Sequence, residues 1–431
     1  MGILTLVKMV IDSKLVKDSS IYFGFKIIDM LFPLFLLPII TRKLEPDQYG
    51  LYVLYTALTA VLLPLLTLSV DSSILLSYFK LKREEFSKYF SSGYFLIIIS
   101  STLIGLIVWL FRQLLADLAS FPSEFVIILI LTCFFQFHSN LALNIYQVRQ
   151  EPIKYGIFSL SFTIVRNALI LILLFFFKLD GKGIIYGHLF SSVLFFFISI
   201  YLFCSLKLFT TRLSKDFILD NVKVGYPLSL HQFGSWLASS ATRIIIGGLL
   251  GSAAAGSFGV GATIGMIVAF TQDSFNRAFA PYLFNQLQSF NQSIEGKLIK
   301  LTYGYNIGLL IFSIVVGVAG YLSVGLLFGS SYDESKKVVM FLCLAYAFDG
   351  MYKMHVNYIF FTKRTSLIFL ITLTTGLLNI LLSYLFVKNF GISGGAISLC
   401  VINFIGYLLS WYIGNRVFPM DWFRLKALEH S

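Results

Sequence analysis

Long apolar runs alternate with short polar segments along the whole chain. A helix of roughly 20 apolar residues is long enough to cross a bilayer. By that criterion the sequence predicts about twelve transmembrane helices, of which the first two form a hairpin over residues 20–79. The ten later runs cover residues 90–111, 124–147, 156–178, 184–206, 225–250, 255–283, 301–326, 336–361, 367–388 and 392–417. We therefore expect an all-α polytopic membrane protein.

An internal repeat divides these runs into two groups. Residues 44–52 read LEPDQYGLY and residues 250–258 read LGSAAAGSF, so a Leu, a Gly and an aromatic residue recur at an offset of 206. Two further sets match in the same order at offsets of 212 and 210, namely Tyr146 and Asn167 with Tyr358 and Asn379, and Lys178 and Gly181 with Lys388 and Gly391. Because each half holds an even number of helices, the repeat is parallel. We expect an N-terminal six-helix bundle (residues 1–210) and a C-terminal one (211–431) around a central cavity.

The composition supports a membrane protein and excludes several other classes. Hydrophobic residues make up 57% of the 431 residues and charged residues 13%, and the mean hydropathy is +0.84. The formal charge of +12 could indicate a nucleic-acid partner, but that interpretation needs a basic soluble module, and the sequence predicts none. The four cysteines lie in apolar runs without metal-ligand spacing. We expect no nucleic-acid partner, no metal site and no cofactor.

Basic residues are distributed unevenly between the two sides of the predicted membrane. With the termini included, one side carries 20 of the 33 Lys and Arg residues, the other carries 8, and 5 lie inside apolar runs. Short loops rich in Lys and Arg stay in the cytoplasm. We therefore expect both termini to be cytoplasmic.

Several motifs resemble one family of bacterial transporters. The runs TRKLEPDQYGLYVLYTAL and LSVDSSILLSYF, at residues 41–58 and 68–79, resemble the opening hairpin of polysaccharide (O-antigen-type) flippases of the multidrug/oligosaccharidyl-lipid/polysaccharide exporter superfamily. SSATRIIIGGLLGSAAAGSFGVGATI resembles the family's seventh and eighth helices. NRAFAPYLF resembles the end of the eighth helix, and FGISGGAISLCVINFI resembles the turn into the twelfth. The family usually has an Asp directly before the Arg of the seventh helix. Here that position is Thr242, so no role of that acid is carried over.

The resemblance implies a function at the plasma membrane. Such a flippase moves an undecaprenyl-pyrophosphate-linked oligosaccharide, a polysaccharide repeat unit, from the cytoplasmic to the outer leaflet. Alternating access driven by a proton or sodium gradient is implied as the mechanism. The expected partners are this lipid-linked substrate, membrane lipids and the coupling ion, and they could include other membrane proteins of polysaccharide assembly.

Charged residues inside the apolar runs are the candidate site residues. A charge near the middle of a bilayer costs at least about 2.5 kcal/mol, so such residues usually face a bundle interior or a water-filled cavity. The substrate-binding candidates are the basic residues Lys26, Arg166, Arg243, Arg277 and Lys353. The ion-coupling candidates are the acidic residues Asp29, Asp71, Asp273 and Asp349.

Sequence spacing separates these residues into two groups. Three oppositely charged pairs have helical spacing, namely Lys26 with Asp29, Asp273 with Arg277, and Asp349 with Lys353. These pairs could also serve only to neutralise each other inside the bundle.

Arg166, Arg243 and Asp71 have no such local partner. The planar fork of Arg can hold a pyrophosphate bidentately, so we expect the two arginines to bind it, one from each half. Each arginine could instead cap carbonyls at a kink or pair with an acid on another helix. Asp71 could be a proton site or have a structural role at a helix end.

Two other functions are compatible with parts of this pattern of apolar helices and embedded charges. A cation-coupled multidrug exporter of the same superfamily would favour an acidic cavity, whereas the charged residues here are slightly basic overall. A membrane-embedded polysaccharide polymerase or ligase would need a large external loop with acid, base and phosphate-binding residues. The predicted external loops are short. The sequence also has no phosphate-binding Gly-rich loop followed by Lys-Ser/Thr, so we expect no ATP-driven transport within this chain. We assign no catalytic residue and no enzymatic activity.

The uneven distribution of basic residues gives a test of topology. Reporter fusions after Ser214 and Gln292 should show cytoplasmic activity, and a fusion after Ser330 should behave as external, because Lys and Arg concentrate on the side of the first two sites. Paired alkaline phosphatase and fluorescent-protein reporters measure both sides. The reverse pattern would show that the orientation is wrong.

Overall fold

The computed structural model describes residues 14–422, with the backbone alone for residues 14–20, 23, 30 and 365. The described chain is almost entirely helical and contains no strand. Its helices are α1 (Lys14–Thr41), α2 (Pro46–Thr67), α3 (Val70–Ser77), α4 (Arg83–Leu110), α5 (Arg112–Ala119), α6 (Val126–Val148), α7 (Pro152–Leu171), α8 (Asp180–Ser205), α9 (Lys215–Ser239), α10 (Ala241–Leu250), α11 (Ser252–Gln288), α12 (Gln292–Phe328), α13 (Lys336–Phe361) and α14 (Thr365–Val417). The predicted all-α fold is confirmed.

The number of membrane spans agrees with the prediction of about twelve. Among the described residues, nine helices are long and apolar enough to cross a membrane, and α9 and α10, which are bent by 51°, meet the same criterion when taken together. Gly391 interrupts α14 with a φ of 61°, so this 53-residue helix can supply two spans. The remaining 26-residue helix, α13, is long enough but carries four charged residues. The predicted cytoplasmic termini, residues 1–13 and 423–431, lie outside the described residues.

The chain forms two compact units. The first contains the residues up to Leu44 together with Tyr55–Phe233, and the second contains Glu45–Leu54 and the residues from Gly234 onward. The helices α2 and α9 therefore each contribute residues to both units. The division into six-helix bundles at residues 210 and 211 stays a prediction.

In the first unit, α4 holds the segment that follows α8. The Ser91 hydroxyl donates a hydrogen bond to the Leu208 carbonyl at 3.3 Å and accepts one from the Thr210 amide at 2.8 Å. The Ser92 hydroxyl accepts a further hydrogen bond from the Ser214 amide at 3.1 Å. These contacts satisfy backbone groups that would otherwise remain unpaired between two helices.

In the second unit, the two copies of the repeated motif lie against each other. A Cβ atom on Gly50 would overlap the carbonyl oxygen of Ser252, and a Cβ atom on Gly256 would overlap the carbonyl oxygen of Pro46. The contact is reciprocal, because Pro46 and Ser252 are equivalent positions at the same offset of 206. A two-fold relation between the motif copies produces this kind of contact. Only glycine allows the backbones of α2 and α11 to approach so closely.

This close approach can be tested by adding one methyl group. Gly256→Ala should destabilise the protein by roughly 1–3 kcal/mol, because the backbone must shift to accommodate Cβ. The matched control is Gly304→Ala, since nothing lies within 4 Å of a Cβ built at Gly304. The thermal midpoint of unfolding in detergent should fall for the first variant alone. Equal midpoints for the two variants would contradict the close helix contact.

Candidate functional site

A cavity of about 500 Å³ lies within the second unit. Its walls combine apolar residues with two charged groups, Arg243 and Asp349, and with two tyrosines, Tyr346 and Tyr352. The remaining polar lining residues are Ser235, Ser239, Ser240, Thr372, Thr375 and Asn403. Apolar walls with a few convergent polar groups are typical of ligand sites.

The bend between α9 and α10 places Arg243 in this cavity. Helix α9 ends at Ser239 and α10 begins at Ala241, so Arg243 lies in the first turn after the bend. Its side chain is half-buried, and its Nε atom is buried without a hydrogen-bond partner among the described residues. The ion pairs of the described chain do not include Arg243. A buried N–H donor of a cation without an acceptor is costly, and a bound anion would satisfy it.

Beside the cavity, Lys353 bridges two carboxylates. Its Nζ atom lies 2.6 Å from Asp273 Oδ1 and 2.8 Å from Asp349 Oδ2. The Gln272 Nε2 atom also donates a hydrogen bond to Asp349 Oδ2 at 2.9 Å. The predicted pair of Asp349 with Lys353 is therefore confirmed.

The predicted pair of Asp273 with Arg277 is not formed. Asp273 binds Lys353 of the neighbouring helix α13 instead, and Arg277 is exposed. Spacing along one helix permits a pair, but a partner on another helix at 2.6 Å takes its place. A role for Arg277 in substrate binding stays a prediction.

Thr242, next to Arg243, belongs to a buried and uncharged hydrogen-bond cluster. Its hydroxyl lies 2.8 Å from the Ser383 hydroxyl and donates to Asn379 Oδ1 at 3.3 Å. Ser383 in turn lies 2.8 Å from the Ser398 hydroxyl, and Asn379 Nδ2 donates to the Leu237 carbonyl. Thr242 thus ties α10 to α14 through neutral groups.

Arg166 is the candidate cation of the first unit. It is half-buried on α7, and its guanidinium carbon lies 5.5 Å from the centre of the Phe162 ring. It forms no ion pair among the described residues. His188 is close enough to interact with it electrostatically, and both ring nitrogens of His188 are buried without a hydrogen-bond partner in the described chain. Among the described residues, Arg166 and His188 thus offer N–H donors that are not ion-paired with an acid.

The two ion-coupling candidates of the first unit, Asp29 and Asp71, have neutral hydrogen-bond partners. Asp29 accepts a hydrogen bond from the Ser159 hydroxyl, and its Oδ1 atom is buried without a partner among the described residues. Lys26 is exposed and forms no ion pair with Asp29, so the predicted pair is not formed. Asp71 is half-buried and accepts a hydrogen bond from Asn144 Nδ2 at 3.3 Å.

Comparison with known families identifies the chain. Residues 15–286 match the family described as polysaccharide biosynthesis protein, which is more than half of the 431 residues. The chain belongs to the polysaccharide biosynthesis protein family. Its similarity to the Lsg locus putative protein 1 of Haemophilus influenzae is 21% identity over 359 residues, which covers 82% of this chain and 87% of that protein.

Two solved structures show that this family member has a transporter fold. An inward-facing multidrug resistance MATE family transporter of the MOP superfamily is 15% identical, with a TM-score of 0.66 over 90% of this chain and 94% of that one. The lipid II flippase MurJ in an inward closed conformation is also 15% identical, with a TM-score of 0.68 over 92% of this chain and 87% of that one. The chain is thus a multi-pass membrane protein with the fold of MOP-superfamily transporters and flippases.

Two uncharged residues of the site, Tyr346 and Gln272, were not predicted from the sequence of this polysaccharide biosynthesis protein. Tyr346, Asp349 and Lys353 lie three and four residues apart, so they share one face of α13, but the tyrosine was not distinguished from other membrane tyrosines. Gln272 directly precedes Asp273 on α11 and carries no charge that would mark it inside an apolar run. Only the packing of α11 against α13 shows its contact with Asp349.

Proposed function

We propose that this protein is a flippase for an undecaprenyl-pyrophosphate-linked oligosaccharide. It would move this lipid from the cytoplasmic to the outer leaflet of the bacterial plasma membrane, by alternating access coupled to an ion gradient and with both termini cytoplasmic. The observation that carries the proposal is the unpartnered Nε donor of Arg243 in the cavity of the second unit. Membership of the polysaccharide biosynthesis family and a fold similar to that of a lipid II flippase support it.

Arg243 is suited to the diphosphate part of such a substrate. Its planar group presents several N–H donors in a fixed fork, which matches two phosphate oxygens at once. Tyr346, Tyr352 and Asn403 line the same cavity and could contact the first sugar through ring faces and amide groups. The diphosphate would supply the acceptor that Nε does not find among the described residues.

Arg166 provides a second cationic position, in the first unit. Because it has no ion-pair partner among the described residues and lies near His188, an anion is favoured there over a cation. We propose that it contacts the diphosphate or an acidic sugar at another stage of transport.

Coupling to an ion gradient is proposed for the carboxylates. Asp273 and Asp349 share Lys353, so binding of a cation by either acid changes the balance of charge beside the cavity. Asp29 and Asp71 are further candidates in the first unit, since each has only neutral hydrogen-bond partners among the described residues.

A multidrug exporter is the second candidate, because a MATE transporter has a similar fold. A cationic drug would need an acid in the cavity, and Asp349 is the only acid lining the cavity described here. That acid is already bound by Lys353 at 2.8 Å. The cavity therefore favours an anionic substrate over a cationic one.

Substitution of Arg243 tests the proposal. Arg243→Ala should lower export of surface polysaccharide about 10- to 100-fold, because a hydrogen bond to a charged group contributes about 1.5–3 kcal/mol. Arg243→Lys should fall between Ala and wild type, since it keeps the charge and loses the fork. Complementation of a flippase-deficient strain at equal membrane expression measures export.

The matched control is Arg416→Ala, because Arg416 is exposed and its guanidinium carbon lies 4.7 Å from the centre of the Tyr412 ring. It should export like wild type. If well-expressed Ala variants at both Arg243 and Arg166 also export like wild type, the arginines do not bind the substrate.

The carboxylates can be tested separately. Asp273→Asn and Asp349→Asn each leave Lys353 with one acidic partner, so both variants should fold. We expect export by at least one of them to fall about tenfold or to lose its dependence on the ion gradient. Export with and without an ionophore that collapses the gradient measures this.

Asp333→Asn is the control, because Asp333 is exposed and pairs with Lys336 at 2.8 Å, away from the cavity lining. Unchanged, gradient-dependent export by both Asn variants would rule out coupling through Asp273 and Asp349.

A further inference from the structure

A second cavity in the second unit, of about 230 Å³, is lined mainly by aromatic rings. We call it the aromatic pocket. Its walls include Tyr303 and Asn306 of α12, His355 of α13, Tyr407 and Trp411 of α14, and Trp422. Among the described residues, no Lys, Arg, Asp or Glu lines it, and it shares no lining residue with the cavity that contains Arg243. The aromatic pocket is therefore separate from the proposed substrate site.

The segment that follows α14 closes one side of the aromatic pocket. The Tyr303 hydroxyl donates a hydrogen bond to the Trp422 carbonyl at 3.0 Å, and Trp422 Nε1 donates to Asn415 Oδ1 at 3.1 Å. Trp422 is only 4% exposed, and its ring centre lies 5.0 Å from that of His355. Hydrogen bonds and ring contacts thus hold this wall of the pocket in place.

Asn306 presents a buried acceptor to the aromatic pocket. Its side chain is 8% exposed, and its Oδ1 atom is buried without a hydrogen-bond partner among the described residues. A buried amide oxygen without a donor is costly, and nearly all such groups in folded proteins are paired. Because Asn306 lines the pocket, a bound molecule with an N–H or O–H donor would satisfy this oxygen.

The rings of the aromatic pocket favour a cationic ligand. The faces of Trp and Tyr rings attract ammonium groups, and cages of such rings bind ammonium ligands in proteins. Tyr303, Tyr407, Trp411 and Trp422 supply four rings here. A primary ammonium group also has N–H donors for Asn306 Oδ1, whereas a quaternary ammonium group has none. Four rings together with one free acceptor therefore favour a primary ammonium group.

The aromatic pocket reaches an exposed apolar surface. Leu408 lines it and is 42% exposed, and Phe404, one turn earlier on the same face of α14, is 40% exposed. Both α12 and α14 are long and apolar enough to span a membrane. Exposed apolar side chains on spanning helices meet acyl chains, so a ligand with a hydrocarbon tail can enter here.

The aromatic pocket lies near one end of the predicted spans. Asn306 is five residues, about 8 Å, inside the apolar run that begins at residue 301, and Trp411 is six residues, about 9 Å, from the end of the run that finishes at residue 417. Trp and Tyr concentrate near this level, next to lipid headgroups. Lys297 and Lys300 are exposed on the turns of α12 before the pocket, where basic residues attract phosphate groups of lipids.

We propose that the aromatic pocket binds the headgroup of an ethanolamine phospholipid. The ammonium group would lie among the rings and donate to Asn306 Oδ1, the phosphate would lie toward Lys300, and an acyl chain would follow Leu408 and Phe404. A bound lipid would connect α12 to α14 at this end of the second unit. The site is independent of the proposed transport function and can be tested without transport.

Two lipids of equal net charge test the chemistry of the site. Purified protein in detergent is titrated with dioleoyl phosphatidylethanolamine or dioleoyl phosphatidylcholine, and native mass spectrometry quantifies the lipid-bound protein. The apparent dissociation constant should be at least about tenfold higher for phosphatidylcholine, because its trimethylammonium group cannot donate to Asn306 Oδ1. Equal affinity for the two lipids would overturn the proposal, and so would the absence of bound phosphatidylethanolamine.

Substitution of Asn306 tests the location of the site. Asn306→Leu removes the acceptor and keeps a side chain of similar size, so the apparent dissociation constant for phosphatidylethanolamine should rise at least about tenfold. The preference over phosphatidylcholine should also disappear. Without lipid, the thermal midpoint of this variant should not fall below that of wild type, since an unpaired buried oxygen has been removed. Trp411→Leu removes one ring and should weaken binding at least about threefold.

The matched control is Asn389→Leu. Asn389 is an exposed residue of α14 that donates to the Leu385 carbonyl and does not line the aromatic pocket. This variant should bind both lipids like wild type. If the folded Asn306→Leu and Trp411→Leu variants bind phosphatidylethanolamine as tightly as wild type does, the lipid binds elsewhere and the aromatic pocket is not its site.

Discussion

The cost of placing a charge among apolar helices governs this structure. An ionised side chain inside a bundle must be paired, hydrogen-bonded or bound to a ligand, because the surrounding hydrocarbon offers no substitute for water. Lys353 meets this requirement with two carboxylates, and the neighbours of Thr242 avoid it by being neutral. Arg243 meets this requirement only in part, since its Nε donor is buried without a partner in the described protein. This unsatisfied donor is the basis of the proposed substrate site.

A break between helices accompanies this site. The 51° bend between α9 and α10 lies directly before Arg243 in the cavity wall. A second break, at the positive φ of Gly391, divides α14 of the same unit. Where helices instead approach closely, glycine removes the side chain, as Gly50 and Gly256 do between α2 and α11. Open and closely packed regions of the second unit thus follow from the positions of a few small residues.

The sequence was sufficient to predict the helices, but it was less informative about which residues of different helices contact each other. The lengths of the apolar runs were sufficient for the fold class, because a bilayer fixes the length of a spanning helix. The pair of Asp349 with Lys353 followed from spacing and is formed, whereas Asp273 binds Lys353 and not Arg277. A helical periodicity says which residues share a face, but it cannot say which neighbouring helix that face meets. Gln272 was missed for the same reason, because a neutral amide gives no signal of its own.

The most direct test of the central claim is a cryo-electron microscopy structure of the protein with its lipid-linked diphosphate bound. We expect density for the diphosphate in the cavity of the second unit, with a phosphate oxygen within hydrogen-bond distance, about 3 Å, of Arg243 Nε. Density for the diphosphate elsewhere, with Arg243 Nε still lacking an acceptor, would contradict the proposed site.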